Sequence, residues 1–186
     1  MAQIQSRTMT ADELLAMPRG RGERYELIEG ELIVTAAAGG KHGVIIGNFS
    51  IELGAFLKQN PLGYLVGSET GFYTRRDDRS VRAPDLAFIS RERVPSGDFE
   101  SGYLRIAPDL VVEVVSPNDR AAEVDEKVRE WLDFGVKEVW VAYPNTKRIM
   151  IYRQGAGSAV ILNATDQIEG GAVLPGFERE VGLFFG

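Results

Sequence analysis

A mixed α/β fold, with one central sheet and helices packed against it, is the prediction for this chain of 186 residues. Three observations lead there. The run Asp109-Leu-Val-Val-Glu-Val-Val-Ser116 is short, β-branched and apolar on both faces, as in a central buried strand. Two stretches, His42 to Gln59 and Arg120 to Phe134, carry helical periodicity. Short β-type runs separated by turn residues stand on either side of them. The length suggests a single domain over residues 1–186, with room for a sizeable core.

The elements follow in order. Thr10-Ala-Asp-Glu13 reads as a capping box before Leu14, Leu15 and Met17, and Pro18 and Gly20 close this short helix. Tyr25 to Thr35 holds two β-type runs around Glu29-Gly30, a predicted hairpin. Ala36 to Gly40 is a small-residue loop. In the first long helix Ile45, Phe49, Leu53 and Phe56 fall on one stripe, and Asn60-Pro61 ends it. Tyr64 to Thr74 and Val81 to Ser90 read as two strands joined by an arginine-rich turn. Arg91 to Pro108 is a loop, and Leu110 to Val115 is the central strand, stopped by Ser116-Pro117. Asn118 or Asp119 is placed to cap the second long helix, which Gly135 ends. Glu138 to Tyr143 and Arg148 to Arg153 form a hairpin across Pro144-Asn145-Thr146-Lys147. The remainder, from Gly155, is irregular, with one more short strand or an edge cap as its expected contribution.

Composition narrows the function classes. Apolar residues make up 44% and charged residues 26%, as in a globular chain. There is no cysteine, which excludes disulfide staples, zinc-thiolate sites and a cysteine nucleophile, and fits a reducing compartment. No apolar run approaches the ~18 residues of a membrane span. Met-Ala-Gln-Ile-Gln-Ser-Arg at the N-terminus lacks the apolar stretch of a signal peptide, so the expected location is the cytoplasm. The net charge of −6 argues against coating nucleic acid by bulk electrostatics. It leaves room for a local basic groove, for which Arg75-Arg76-Asp-Asp-Arg79-Ser-Val-Arg82 is the candidate; the alternative is a solvated charged loop. The chain contains no Gly-x-x-x-x-Gly-Lys-Ser/Thr loop and no Gly-x-Ser-x-Gly elbow. No aromatic-rich cleft motif supports a carboxylate pair acting on sugars.

Glu113 is the residue most in need of a reason. A carboxylate in a valine strand costs several kcal/mol unless a cation, a metal or hydrogen bonds compensate it. By alternation it shares a face with Val111 and Val115. Lys127 follows on the second long helix. With Val124 set at zero and ~100° per residue, Lys127 lands near −60°, inside the apolar arc of Val128, Trp131, Leu132 and Phe134. Asp85, in Arg82-Ala-Pro-Asp85, stands at the start of a strand, where Pro84 is tolerated. Two carboxylates can hold Mg²⁺ or Mn²⁺. A metal activates water and neutralises a phosphoryl oxygen, and a nearby lysine orients that water or stabilises developing charge. The three residues thus suffice for phosphodiester hydrolysis. Each also has a plain alternative: Asp85 as a turn or cap residue, Glu113 in an ion pair with a core arginine, Lys127 snorkelling past the core edge. His42, the one histidine, opens the first long helix as a satisfied helix-start residue or a supporting ligand. Glu26 and Glu31 in the hairpin are further acidic candidates that nothing local separates from exposed strand carboxylates.

Arg24-Tyr-Glu-Leu-Ile-Glu-Gly-Glu-Leu32, Ala83-Pro-Asp-Leu86, Asp109 to Pro117, the stretch Lys127 to Trp140 and a closing Leu174-Pro-Gly-Phe177 resemble the bacterial restriction-endonuclease-like family of the PD-(D/E)XK nuclease superfamily. The likeness runs over nearly the whole chain. It implies a restriction-endonuclease-like core, a four-stranded mixed sheet flanked by helices, here with added hairpins. It also implies a Mg²⁺-dependent site acting on DNA. Asp85 matches the family's Pro-Asp aspartate, Glu113 the acid of the second motif, and His42 a histidine at the start of the first core helix. The superfamily's usual lysine position, two residues after the acid, is Val115 here; Lys127 resembles the migrated lysine of this family. Many nucleases dimerise to cut two strands, which makes a homodimer the matching expectation. A non-catalytic member that binds nucleic acid or a protein partner through the same cleft is the rival reading, favoured by the acidic total and Val115.

Overall fold

The computed structural model describes the chain except for residues 1–7, 19, 21, 37 and 100. The N-terminal stretch read above for a signal sequence lies outside the described residues. In chain order the elements are α1 (Ala11–Ala16), β1 (Glu23–Ile28), β2 (Glu31–Ala36), α2 (Gly40–Gln59), β3 (Gly63–Gly67), β4 (Phe72–Tyr73), β5 (Val81–Arg82), β6 (Leu86–Ser90) and β7 (Leu110–Val114). Then come α3 (Ala121–Phe134), β8 (Glu138–Tyr143), β9 (Arg148–Arg153), β10 (Val160–Leu162), β11 (Gln167–Glu169), β12 (Glu178–Glu180) and a 3₁₀ turn, Val181–Phe184.

Among the described residues six strands form the central sheet in the order β10-β9-β8-β7-β6-β3, wider than the four-stranded core the resemblance implies. Only β7 and β8 run parallel in it, joined by α3; the other pairs are antiparallel, so the sheet is mixed. β7 is buried on both faces, as its unbroken apolar pattern requires. On one face the α2 stripe of Ile45, Phe49, Leu53 and Phe56 meets Val112, Val114, Trp140 and Phe184. The Phe49 and Phe184 rings stack at 4.1 Å. On the other face Val128 and Trp131 of α3 meet Val111, Val139 and Val141.

Local signals place most of the elements. Thr10 and Glu13 close the capping box of α1, each side chain bonded to the other's backbone N–H. The β1–β2 turn holds both central residues at positive φ, Glu29 at 51° and Gly30 at 87°, which is what a two-residue hairpin needs. At the end of α3 Gly135 takes φ 110°. At its start, however, neither Asn118 nor Asp119 is the cap. Asp119 turns back to accept from Ser116 N–H, and Glu123 accepts from Arg120 N–H at the helix start.

The two long strands predicted on either side of the arginine-rich turn are each broken in two. β3 and β6 pair in the central sheet, whereas β4 and β5 pair in a second sheet of order β2-β1-β5-β4. The second break falls at Ala83-Pro-Asp85, where Pro84 offers no N–H to continue a ladder. The first lies at Ser68 to Gly71, where a Cβ on Gly71 would come within 2.3 Å of the Tyr103 ring. The tail is more ordered than "irregular" suggests: β10 extends the central sheet, and β11 pairs with β12.

Glycine substitutions test this packing. A Cβ on Gly63 would sit 2.2 Å from Ile89 O and 2.7 Å from the Phe88 ring. Gly63→Ala is therefore expected to lose about 1–3 kcal/mol through strained β3–β6 pairing. Gly47, inside α2, has nothing within 4 Å of its added Cβ. Gly47→Ala is expected to gain up to about 1 kcal/mol from helix propensity. Urea unfolding of both variants against the parent measures the two signs.

Candidate active site

The site lies where the two sheets meet, at the end of β7 facing α3. Alternation on β1 puts Arg24 and Glu26 on one face. The first turn of α2 supplies His42, the β5–β6 junction supplies Arg82 and Asp85, β7 supplies Glu113, and α3 supplies Lys127, Glu130 and Trp131.

Asp85 is a buried hub, 2% exposed. The β6–β7 ladder ends at Leu86 opposite Val112, and beyond it the Asp85 carboxylate takes over from the strand. Its Oδ2 accepts from Val114 N–H at 2.8 Å and from His42 Nε2 at 3.1 Å. Its Oδ1 accepts from Arg24 Nη1 at 2.7 Å, and Arg24 Nη2 donates to Ala83 O at 3.1 Å. Burial works against the Asp85 charge, but the His42 hydrogen bond and the Lys127 and Arg24 charges prevail and hold its pKa at about 2. Burial likewise works against a charged His42, and the Asp85 bond overcomes it, raising the imidazole above its ordinary value.

Glu113 shares its face with Val111, as alternation predicts, and that face meets α3. Its Oε2 accepts from Lys127 Nζ at 3.0 Å and its Oε1 from Trp131 Nε1 at 2.8 Å. Burial pushes Glu113 up; Lys127 pulls it down, and the Asp85 and Glu26 carboxylates push it up again, to about 7. Lys127 also lies 3.6 Å from Glu26. Burial disfavours its charge, yet Glu113, Glu26 and Asp85 together raise its pKa above the ordinary lysine value. The helical-wheel placement of Lys127 toward the sheet is what the structure shows.

Of the two hairpin acids, Glu26 joins the site, while Glu31 stays at the exposed start of β2. Glu26 accepts from Ala83 N–H at 3.1 Å and from Arg82 Nη1 at 3.0 Å. Burial opposes its ionisation, but Lys127, Arg82 and the Ala83 N–H outweigh that and lower its pKa. Arg82 also pairs with Glu130 at 2.7 Å, and the Thr74 hydroxyl donates to Glu130. Sequence reasoning missed the roles of Arg24, Arg82, Glu130 and Trp131. The signal available was strand alternation: Arg24 with Glu26 on β1, and Arg82 one residue beyond Val81, which pairs with Leu27 of β1. Part of the arginine-rich turn is already engaged, while Arg76 and Arg79 stay exposed. Arg82 is buried in the site, Arg75 pairs with Glu29, and Asp78 pairs with Arg105 at 3.0 Å.

The cluster therefore sets four carboxylates (Glu26, Asp85, Glu113, Glu130) against Arg24, Arg82, Lys127 and a histidine with a raised pKa. Burial, with the Asp85 and Glu26 carboxylates adding to it, lifts Glu113 to near neutral pH, and perturbed acids of this kind are characteristic of sites that bind cations or move protons.

No curated protein matches this sequence. Among solved structures, one described as a putative nuclease belonging to DUF820 from Anabaena variabilis ATCC 29413 matches with a TM-score of 0.79 at 21% identity, covering 95% of this chain and 97% of that one. The fold is thus the α/β, restriction-endonuclease-like one expected. A family model described as "Uma2: Putative restriction endonuclease" matches residues 11–182, nearly the whole chain and every residue of the site, and this chain belongs to that family.

Proposed function

We propose that this chain is a Mg²⁺-dependent endonuclease that hydrolyses phosphodiester bonds of DNA in the cytoplasm, with Mn²⁺ able to replace Mg²⁺. Its family supports a nuclease. Within the chain one observation carries the reading: Lys127, from the helix after β7, brings its ammonium 3.0 Å from Glu113, beside the strand end whose Val114 N–H is held by Asp85.

The donor set suits a hard divalent cation. It offers carboxylate oxygens from Asp85, Glu113 and Glu26, and hard ions of this kind take oxygen ligands. The repulsion that Asp85 and Glu26 exert on Glu113 is what such an ion would relieve. Among the described residues no group of three or more His, Cys, Asp or Glu stands ready to hold a metal. The carboxylate oxygens are turned onto Arg24, His42, Lys127 and Trp131, so loading requires an exchange of partners.

In this reading Asp85 and Glu113 hold the ion. When bound, Mg²⁺ lowers the pKa of a coordinated water and neutralises charge on a phosphoryl oxygen. Lys127 orients the attacking water or stabilises the developing negative charge. His42 supports the site by fixing Asp85 through Nε2, and Trp131 fixes Glu113 in the same way. Association of two copies about a two-fold would offer one site to each strand of a duplex, and sedimentation would detect it.

Nicking of supercoiled plasmid is the test. Cleavage is expected with Mg²⁺ or Mn²⁺, is expected to stop with a chelator, and is expected to disappear in Asp85→Ala and Lys127→Ala. Cleavage that survives both substitutions refutes the assignment. The second reading, a catalytically degenerate module that binds nucleic acid or a protein partner, draws on the internally paired carboxylates and on the net charge of −6. Titration calorimetry that shows no Mn²⁺ binding to a folded protein would favour it.

A further inference from the structure

We propose that Arg24 gates metal binding at Asp85: its guanidinium holds the cation's place in the free protein and leaves when a DNA phosphate offers it a better partner. This rests on the metal-dependent reading above.

The two oxygens of Asp85 are held differently. Oδ2 is locked by a strand N–H and by His42, which is 8% exposed. Oδ1 is held by Arg24, a long side chain reaching in from β1 and 27% exposed, against 3% for the Asp85 side chain. The other Arg24 hydrogen bond goes to a neutral acceptor, Ala83 O. Lys127 is anchored more firmly, between Glu113 and Glu26, and its departure would uncover two acids at once. Arg24 is therefore the cation of this cluster most readily moved, and moving it opens the one Asp85 oxygen not bound to rigid backbone or imidazole.

A guanidinium and a divalent cation at the same carboxylate oxygen exclude one another. The planar fork of arginine also matches the oxygens of a phosphodiester. A phosphate that draws Arg24 away raises metal affinity, and by linkage the metal raises affinity for the phosphate. Arg24 then acts as a positioning residue that couples metal loading to substrate.

Calorimetric titration with Mn²⁺ tests this on the parent, Arg24→Gln and Arg24→Lys, with and without a short duplex carrying phosphorothioate linkages throughout. The duplex alone is titrated to remove its own Mn²⁺ uptake. In the parent, Mn²⁺ is expected to bind about tenfold tighter with duplex than without. Arg24→Gln is expected to bind Mn²⁺ about tenfold tighter than the parent in the absence of duplex, with little further gain when duplex is added. Arg24→Lys keeps a cation without the fork and is expected to fall between them, so the trend is readable even where the glutamine variant is too unstable to titrate. Equal Mn²⁺ affinity in all three proteins without duplex overturns the gate while leaving the metal reading intact. Absence of Mn²⁺ binding in every arm refutes the metal reading, and the gate with it.

Discussion

Asp85→Ala is expected to lower the unfolding free energy by about 3–5 kcal/mol, the range for removing one partner from a buried ionic cluster. The substitution leaves Arg24, His42 and Val114 N–H without their common acceptor. Against a typical total of about 5–15 kcal/mol, that is a large fraction. Asp85→Asn keeps the shape and one acceptor oxygen, and is expected to lose less. The sign with pH follows from a folded pKa of about 2 against an ordinary value of 3.8. Because the folded value is depressed, the Asp85 contribution is present above the ordinary value and is lost as pH falls through 2. Urea unfolding of parent and alanine variant should therefore show the stability gap narrowing in strong acid by about 2 kcal/mol, with the packing and hydrogen-bond part of the loss remaining. A difference under about 1 kcal/mol at neutral pH would mean that the three donors find other partners and that Asp85 is not their hub.

The second large effect concerns Glu113, whose pKa stands at about 7 in the fold against an ordinary 4.5. A metal ligand must be ionised. DNA cleavage and Mn²⁺ affinity are therefore expected to fall about tenfold for each pH unit below 7, so that about 1% of the activity remains two units lower. For stability the sign is opposite to that of Asp85. A raised folded pKa gives a contribution that is complete below 4.5 and is lost as pH rises through 7. Glu113→Gln removes this titration. The stability difference, variant minus parent, should therefore move in the variant's favour across that window, at up to about 1.4 kcal/mol per pH unit. A flat activity profile between pH 5 and 7, or a stability difference that does not change with pH, would show that Glu113 is ionised throughout; both measurements can be made on the same preparations.

Much of this site could be read locally. Glu113 was conspicuous because its neighbours are valines, and Lys127 because one charge fell inside the apolar arc of a helix. The two inferences met at a contact of 3.0 Å. The two Pro-Asp pairs were harder to tell apart. Pro84-Asp85 leads into the cluster. Asp109, after Pro108, is just as buried but accepts from Ser90 N–H, Arg93 and Lys137 at the other end of β7. Their local sequences are alike, and only the neighbours differ.

Helix stripes, capping boxes, the Glu29-Gly30 turn and the buried central strand were determined by the sequence itself, because each depends on side chains and backbone preferences within a few residues. The broken strands, the second sheet and the partners of Asp85, Glu26 and Arg82 were decided by the tertiary structure. Arg24 and Asp85 are 61 residues apart in the chain, and Arg82 and Glu26 are 56 apart. A buried charge requires a counter-charge, but which of several equivalent arginines or glutamates provides it depends on where the sheets bring the chain together.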